Sequence, residues 1–245
     1  MDKEKIFEGP AKIGDAYRFM APVRMNRGMH YGSNYYLMPS KKTGRQMEAF
    51  SSLEYYNFIR LEMDPNVEYY CEHPYCLKYK DEKDAPCESV FDVWVYYRDG
   101  REEFQEVKYL SNITGNGKEA ERCKKQIKAQ EDFCRSMKIS CCVRTDAVIK
   151  GDGQGLYLVP NLEFLRARVN RYNRPEDSRL QENILNIVRK RNRTVISDLE
   201  ELEGRTFAAV LDELALMYYK GDIDMDITRL PISRHTGIFL NTTNK

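Results

Sequence analysis

The sequence predicts an α/β domain built on a mixed sheet, followed by a smaller helical unit that ends in a β-hairpin. Three observations carry that expectation. Phe91 to Leu110, FDVWVYYRDGREEFQEVKYL, reads as strand, turn and strand, because its first half is aromatic and β-branched and Asp99-Gly100 supplies turn residues. Segments of helical period flank it, FSSLEYYNFIRLEM before and KEAERCKKQIKAQEDFCRSM after, and strands interleaved with helices build layered sheets. Beyond about residue 175, three helical segments follow one another before any further strand signal.

At 245 residues the chain can hold one ample core or two small ones. Its 42% hydrophobic content is ordinary for a globular protein, and no apolar run reaches membrane-spanning length. The opening MDKEKIFEGP lacks the apolar stretch of a secretory signal, so a cytoplasmic location and no membrane partner are expected. Seven cysteines form no secreted disulfide framework, which fits a reducing compartment. Cys71, His73, Cys76 and Cys87 are potential zinc ligands, but their spacing matches no common zinc pattern.

The net charge of +1 excludes a wholly basic nucleic-acid binder, so the distribution of charge matters more than its sum. Residues 1–48 carry nine Lys or Arg against five acids. Residues 1–32 mix Gly, Pro and basic residues without a sustained period and read as an arm that orders on DNA or a partner. Within it, Arg18, Arg24 and Arg27 suit phosphate contact or plain solubility.

A first domain is expected over residues 33–158. NYYLMP and RQMEAF read as two short strands around the turn Lys41-Lys42-Thr43-Gly44. Lys41, Lys42 and the adjacent Arg45 suit backbone phosphate contact, and the lysines equally suit a solvated turn. Ser51 or Ser52 caps a helix running to about Met63, stopped by Asp64-Pro65, with Glu54 in its first turn. VEYYCEHPYCLKYK reads as a strand ended at Pro74 and a further extended piece, and DEKDAPCE as a polar loop.

In the central hairpin, register decides which side chains share a face. A two-residue loop would set Asp92 opposite Val107. A three-residue loop with Gly100 left-handed instead pairs Asp92 with Glu106 and Trp94 with Phe104, and this is the register expected. Glu106 and Lys108, two apart on a pleated strand, then point to the same side as Asp92. Opposed carboxylates repel unless compensated. Hard oxygen ligands suit Mg²⁺, and Lys108 would lie within reach of a metal-bound water or of developing phosphorane charge, as an electrostatic stabiliser or a proton-handling group. Read alone, D-x(13)-E-x-K is equally compatible with an exposed hairpin whose acids are solvated.

Downstream, Ser111 to Gly117 reads as a loop and Lys118 to Met137 as an amphipathic helix. Between Lys118 and Lys138, seven Lys or Arg face four acids, with Arg122, Lys124, Lys125 and Lys128 clustered. They form either a solvated face or a wall of a DNA cleft. ISCCVRT supplies a strand, and Gly151-Asp152-Gly153-Gln154-Gly155 is a connection that lacks the Lys-Ser or Lys-Thr of a phosphate loop.

The helix FSSLEYYNFIRLEMDPNVEYYCEHP, the strand FDVWVYY and the run QEVKY, in that order, resemble the nuclease domain of the TnsA family, the endonuclease subunit of heteromeric cut-and-paste transposases of prokaryotes. The resemblance implies a restriction-endonuclease-like fold whose metal site joins a helix Glu to an Asp and an E-x-K strand. Carried over, Glu54 is the helix carboxylate, Asp92 the central metal ligand, Glu106 the strand ligand with Val107 completing the metal set, and Lys108 the lysine. Some family members have Gln in place of Glu106, and the acidic version here argues for activity. What is implied is a Mg²⁺-dependent phosphodiester hydrolase, with Mn²⁺ as a substitute, cutting the 5′ (non-transferred) strand at transposon ends. The alternatives are a stand-alone restriction, repair or phage-type nuclease of the same fold, and a catalytically silent adaptor.

A linker helix is expected over residues 159–175 and a second domain over 176–245. Helices at 177–191, 196–202 and 206–219, a Gly221 cap, and strands from DIDMDIT and TGIFL give three helices and a wing, the winged-helix arrangement. This region carries ten Lys or Arg against twelve acids, and its presumed reader helix, TFAAVLDELALMYY, has Asp212 and Glu213 and no base. Attraction to phosphate is missing there, so docking to protein is expected. The resemblance implies an integrase-like transposase subunit and an AAA+ ATPase as those partners, with double-stranded DNA as the substrate.

Overall fold

A computed structural model describes residues 21–25, 34–81, 84–153, 155–171 and 176–241. The expected arm therefore lies, apart from 21–25, outside the described residues, Arg18 and Arg27 included. The chain divides into two compact units, residues 1–58 with 66–149, and residues 59–65 with 150–245.

In the first unit, β1 (Tyr36–Pro39) and β2 (Gln46–Ala49) pair antiparallel, Tyr36 opposite Ala49, as a hairpin of their own. Helix α1 (Ser52–Met63) follows. Its cap is Ser51, whose Oγ accepts from the Glu54 N–H at 3.1 Å. Then come β3 (Val67–Glu72) and β4 (Cys76–Lys80), with the chain turning at a positive φ of 43° on His73 ahead of Pro74.

The stretch expected to be a polar loop is partly strand. Residues Pro86–Val90 form β5 and pair with β4, Cys76 opposite Val90. The signal is weak because this two-stranded ribbon buries few side chains, so period-2 hydrophobicity hardly develops.

Strands β6 (Val93–Tyr97) and β7 (Glu102–Lys108) make the central hairpin with Trp94 opposite Phe104. Three residues, Arg98-Asp99-Gly100, separate Tyr97 and Arg101, which are joined by a 2.9 Å backbone bond, and Gly100 is left-handed at φ 86°. Strand β7 ends at Lys108, two residues before the sequence suggests. A short helix α2 (Leu110–Thr114) replaces part of the expected loop, tied down where the Leu110 N–H donates to Asp146 Oδ1 at 2.7 Å.

Helix α3 (Lys118–Met137) returns the chain to β8 (Ser140–Thr145), which lies parallel to β7. The sheet, in the order β3-β6-β7-β8, is thus mixed, as a restriction-endonuclease-like architecture requires. Helix α4 (Asp146–Lys150) closes this run.

The two helices cover opposite faces of β7, as its alternation requires. Phe104 contacts Phe133 of α3, and Phe91 packs against Phe104 with ring centres 4.4 Å apart. On the other face Gln105 accepts from Asn57 of α1 at 2.9 Å, and Val107 packs with Leu53 and Ile149. Trp94, Phe91, Phe104 and Cys71 are almost completely buried, so the sheet is the middle of the core.

The second unit contains α5 (Leu158–Arg171), α6 (Ser178–Arg191), β9 (Thr194–Val195), α7 (Ile196–Glu203), α8 (Phe207–Lys220), β10 (Ile223–Met225) and β11 (Gly237–Leu240). The expected bridging helix, α5, falls in this unit and packs on α8. Gly221 caps α8 in the left-handed region at φ 82°. The three strands pair antiparallel in the order β10-β11-β9. Helix α8 is the unit's axis: seven of its fourteen residues are buried, Leu211, Leu214 and Met217 completely. Its two acids are used internally, Asp212 by Arg168 at 2.5 Å and Glu213 by Gln181 at 2.8 Å.

Candidate active site

Asp92 sits one residue before β6, and its Oδ2 accepts a 2.6 Å bond from the Val107 N–H. This bond fixes the carboxylate against β7 and brings the Val107 main chain beside it. Burial, then the nearby Glu106 carboxylate, push the Asp92 carboxyl well above its ordinary range, with Glu54 adding to that push and Lys108 opposing it. A proton or a cation is therefore favoured at this position.

Glu54 serves two ends. Its Oε1 accepts from the Ser51 hydroxyl at 2.9 Å and its Oε2 from the Phe50 N–H at 3.1 Å, which closes the start of α1. Oε2 also lies 3.3 Å from His73 Nε2. Burial raises the Glu54 carboxyl, but the His73 interaction and the two capping donors outweigh it, so it stays below its ordinary value.

Among the described residues, Glu54, His73 and Asp92 form a group whose ligand atoms lie within 4.8 Å of one another. His73 is the member that the sequence did not place here. Cys71, Cys76 and Cys87, which shared with it a possible zinc set, do not join the group. What holds His73 is backbone: its N–H donates to the Asp92 carbonyl at 3.0 Å, and its own carbonyl accepts from the Val23 N–H at 2.8 Å.

Glu106 stands next to this group without entering its mutual range. Its carboxylate is 1% exposed and fully engaged: Oε1 by Lys108 at 2.6 Å and Gln126 at 2.7 Å, Oε2 by Gln130 at 2.7 Å. The two glutamines, one helical turn apart on α3, also reach Ser89 Oγ at 3.0 Å each. Neither glutamine nor Ser89 is marked by its sequence context, although an i, i+4 polar pair on the inward stripe of an amphipathic helix is a usable signal. Burial lowers the Lys108 ammonium, but the Asp92 and Glu106 carboxylates outweigh it and raise its pKa above the ordinary lysine value.

The residues expected to meet DNA are divided. Arg45 makes a two-pronged ion pair with Glu72, whose side chain is 1% exposed, so both terminal nitrogens are committed to the fold and not offered to phosphate. Lys41 is exposed and Lys42 partly so. Arg122, Lys124, Lys125 and Lys128 lie along α3, with Lys124 bridged to Glu121 at 3.1 Å.

Residues 64–146 match the family model of the TnsA-like endonuclease N-terminal domain. That stretch, about a third of the chain, is similar to the TnsA-like endonuclease N-terminal domain. The TnsA-like match contains His73, Asp92, Glu106, Val107 and Lys108, whereas Glu54 precedes it. Comparison with curated proteins finds no match. The matched domain is an endonuclease domain, so residues 64–146 are similar to a nuclease, whose reaction is hydrolysis of phosphodiesters. Two carboxylates, Glu54 and Asp92, with the His73 imidazole at close range, are a donor set that fits a divalent cation.

Proposed function

We propose that the chain is a Mg²⁺-dependent DNA endonuclease subunit of a cut-and-paste transposase, cleaving the non-transferred strand at the ends of a mobile element. The observation that carries this reading is the convergence of Glu54, His73 and Asp92 beside Lys108, in a chain whose residues 64–146 match a TnsA-like endonuclease.

Glu54 and Asp92 hold the cation, with the Val107 main chain fixing the orientation of Asp92. Bound there, the cation supplies Lewis-acid charge to the scissile phosphate and lowers the pKa of the attacking water. Lys108 keeps its proton on Nζ at neutral pH, since its pKa is raised, so it stabilises charge developing on phosphate oxygens and does not act as the base. Glu106 holds that ammonium in place, itself fixed by Gln126 and Gln130. Lys41, Lys42 and the basic residues of α3 engage the phosphate backbone.

The second unit is a winged-helix domain in this reading. With its apolar face sunk in the core of that unit, α8 is not free to enter a groove through that surface. The unit docks onto an integrase-like transposase or an AAA+ ATPase, and those partners supply recognition of the ends.

The test is cleavage of end-containing DNA by the full chain with its partner transposase and Mg²⁺. Asp92→Ala should abolish nicking of the non-transferred strand while leaving the circular dichroism spectrum unchanged. Wild-type nicking by that variant would exclude the assignment.

A further inference from the structure

His73 is the one member of the converging group that neither caps a helix nor belongs to the carboxylate set expected of the site. It is 3% exposed, its ring packs at 5.3 Å from the Phe50 ring, and its Nε2 lies 3.3 Å from Glu54 Oε2. Its backbone carries a positive φ of 43° and is clamped on both sides, to Asp92 through its N–H and to Val23 through its carbonyl. A non-glycine residue in that region of backbone space is uncommon and persists when its surroundings over-determine it. The clamp to the Asp92 main chain ties the imidazole and the Asp92 carboxylate to one short piece of structure.

We propose that His73 Nε2 is a direct ligand of the divalent cation, together with Glu54 and Asp92, and that it tilts the site toward Mn²⁺ and other first-row transition ions over Mg²⁺. This role rests on the metal-dependent reading above and deepens it. Mg²⁺ is held almost entirely by oxygen and keeps several waters, whereas imidazole nitrogen favours transition ions. Glu54 Oε2 and His73 Nε2 face each other directly, and a metal ion between them replaces that hydrogen bond with two coordinate bonds.

The experiment uses the full-length protein, stripped of metal and titrated with Mn²⁺ alone or Mg²⁺ alone, read by calorimetry and, for Mn²⁺, by pulsed electron paramagnetic resonance. The wild type should display nitrogen-14 modulation from a directly bound imidazole. His73→Gln should still bind Mn²⁺ but without that modulation, with an affinity for Mn²⁺ lower by about ten-fold and for Mg²⁺ changed by less than about three-fold, on the scale by which even outer partners of a metal ligand set affinity. Mn²⁺ bound by the wild type with no nitrogen modulation would overturn the role of His73 and leave the metal site standing. Equal loss of Mn²⁺ and Mg²⁺ affinity in His73→Gln would also overturn it, because the residue would then act through the position of Glu54. Asp92→Ala separates the two levels: if it binds Mn²⁺ as the wild type does, the metal-dependent reading itself fails, and the role of His73 with it.

Discussion

Gln130 donates to Glu106 Oε2 at 2.7 Å, from a helix position 24 residues further along the chain. The glutamine and the glutamate are both almost fully buried, at 0% and 1% exposure. The carboxylate beside the converging group is thus finished by amide donors from α3 and by Lys108, and the site owes its shape to that helix as much as to the hairpin.

Gln130→Ala should therefore destabilise the protein. It leaves one oxygen of a buried carboxylate without its donor, which costs about 1–3 kcal/mol. Urea unfolding of the single variant, of Glu106→Gln and of the pair would measure the coupling, and additive effects would contradict the hydrogen bond.

Asp92→Asn should stabilise the metal-free protein at neutral and alkaline pH. The folded-state pKa of Asp92 is raised by burial and then by Glu106. The wild type therefore has its full contribution from this group below the unfolded pKa, and loses it as pH rises through the folded value. The variant has no such loss, so its melting temperature should exceed the wild type's at pH about 8 and not at pH about 3. Saturating divalent cation should reverse the order at the higher pH, because it binds the wild-type site.

Arg45→Ala should be a stability variant and not a DNA-binding one. It strands the Glu72 carboxylate, 1% exposed, without its guanidinium, and breaking such a pair costs about 3–5 kcal/mol. Denaturant midpoints should fall accordingly, while the salt dependence of DNA binding by the folded fraction stays unchanged.

Lys124→Gln with Lys128→Gln should do the opposite. Both residues are exposed on α3, so stability should change little. If both neutralise phosphate, the slope of log affinity against log salt should fall by about 0.9 for each phosphate no longer paired with a lysine. An unchanged slope would remove α3 from the DNA-binding surface.

Gly100→Ala tests the turn. Gly100 has φ 86° and no atom within 4 Å of the position a Cβ would take. The cost is conformational alone, about 1–2 kcal/mol. It should appear in thermal unfolding without a change in the Trp94 to Phe104 pairing.

The register of the hairpin is legible in the sequence because a single left-handed glycine and a three-residue loop leave one alternation that buries Trp94 with Phe104. Both flanking helices and the Gly221 cap are legible for the same reason, since each is a local pattern of period or backbone sign. Strand β5 is not, because Pro86 to Val90 lacks an alternating apolar face and becomes a strand only when β4 offers its edge. Arg45 reads as a phosphate ligand from its neighbours alone, and a sequence cannot reveal that Glu72, 27 residues away, claims it first.

The sequence by itself determined the order of the main elements, the turn that fixes the register of β6 against β7, and the helix start that carries Glu54. Those depend on interactions between near neighbours, which spacing and residue type report directly. Tertiary structure alone decided that His73 enters the cluster through a backbone bond to Asp92, that Glu106 is closed off by Gln126 and Gln130, and that α8 is a core helix. Each of these joins distant segments, and the partner is chosen by how whole layers pack, a competition that no local pattern encodes.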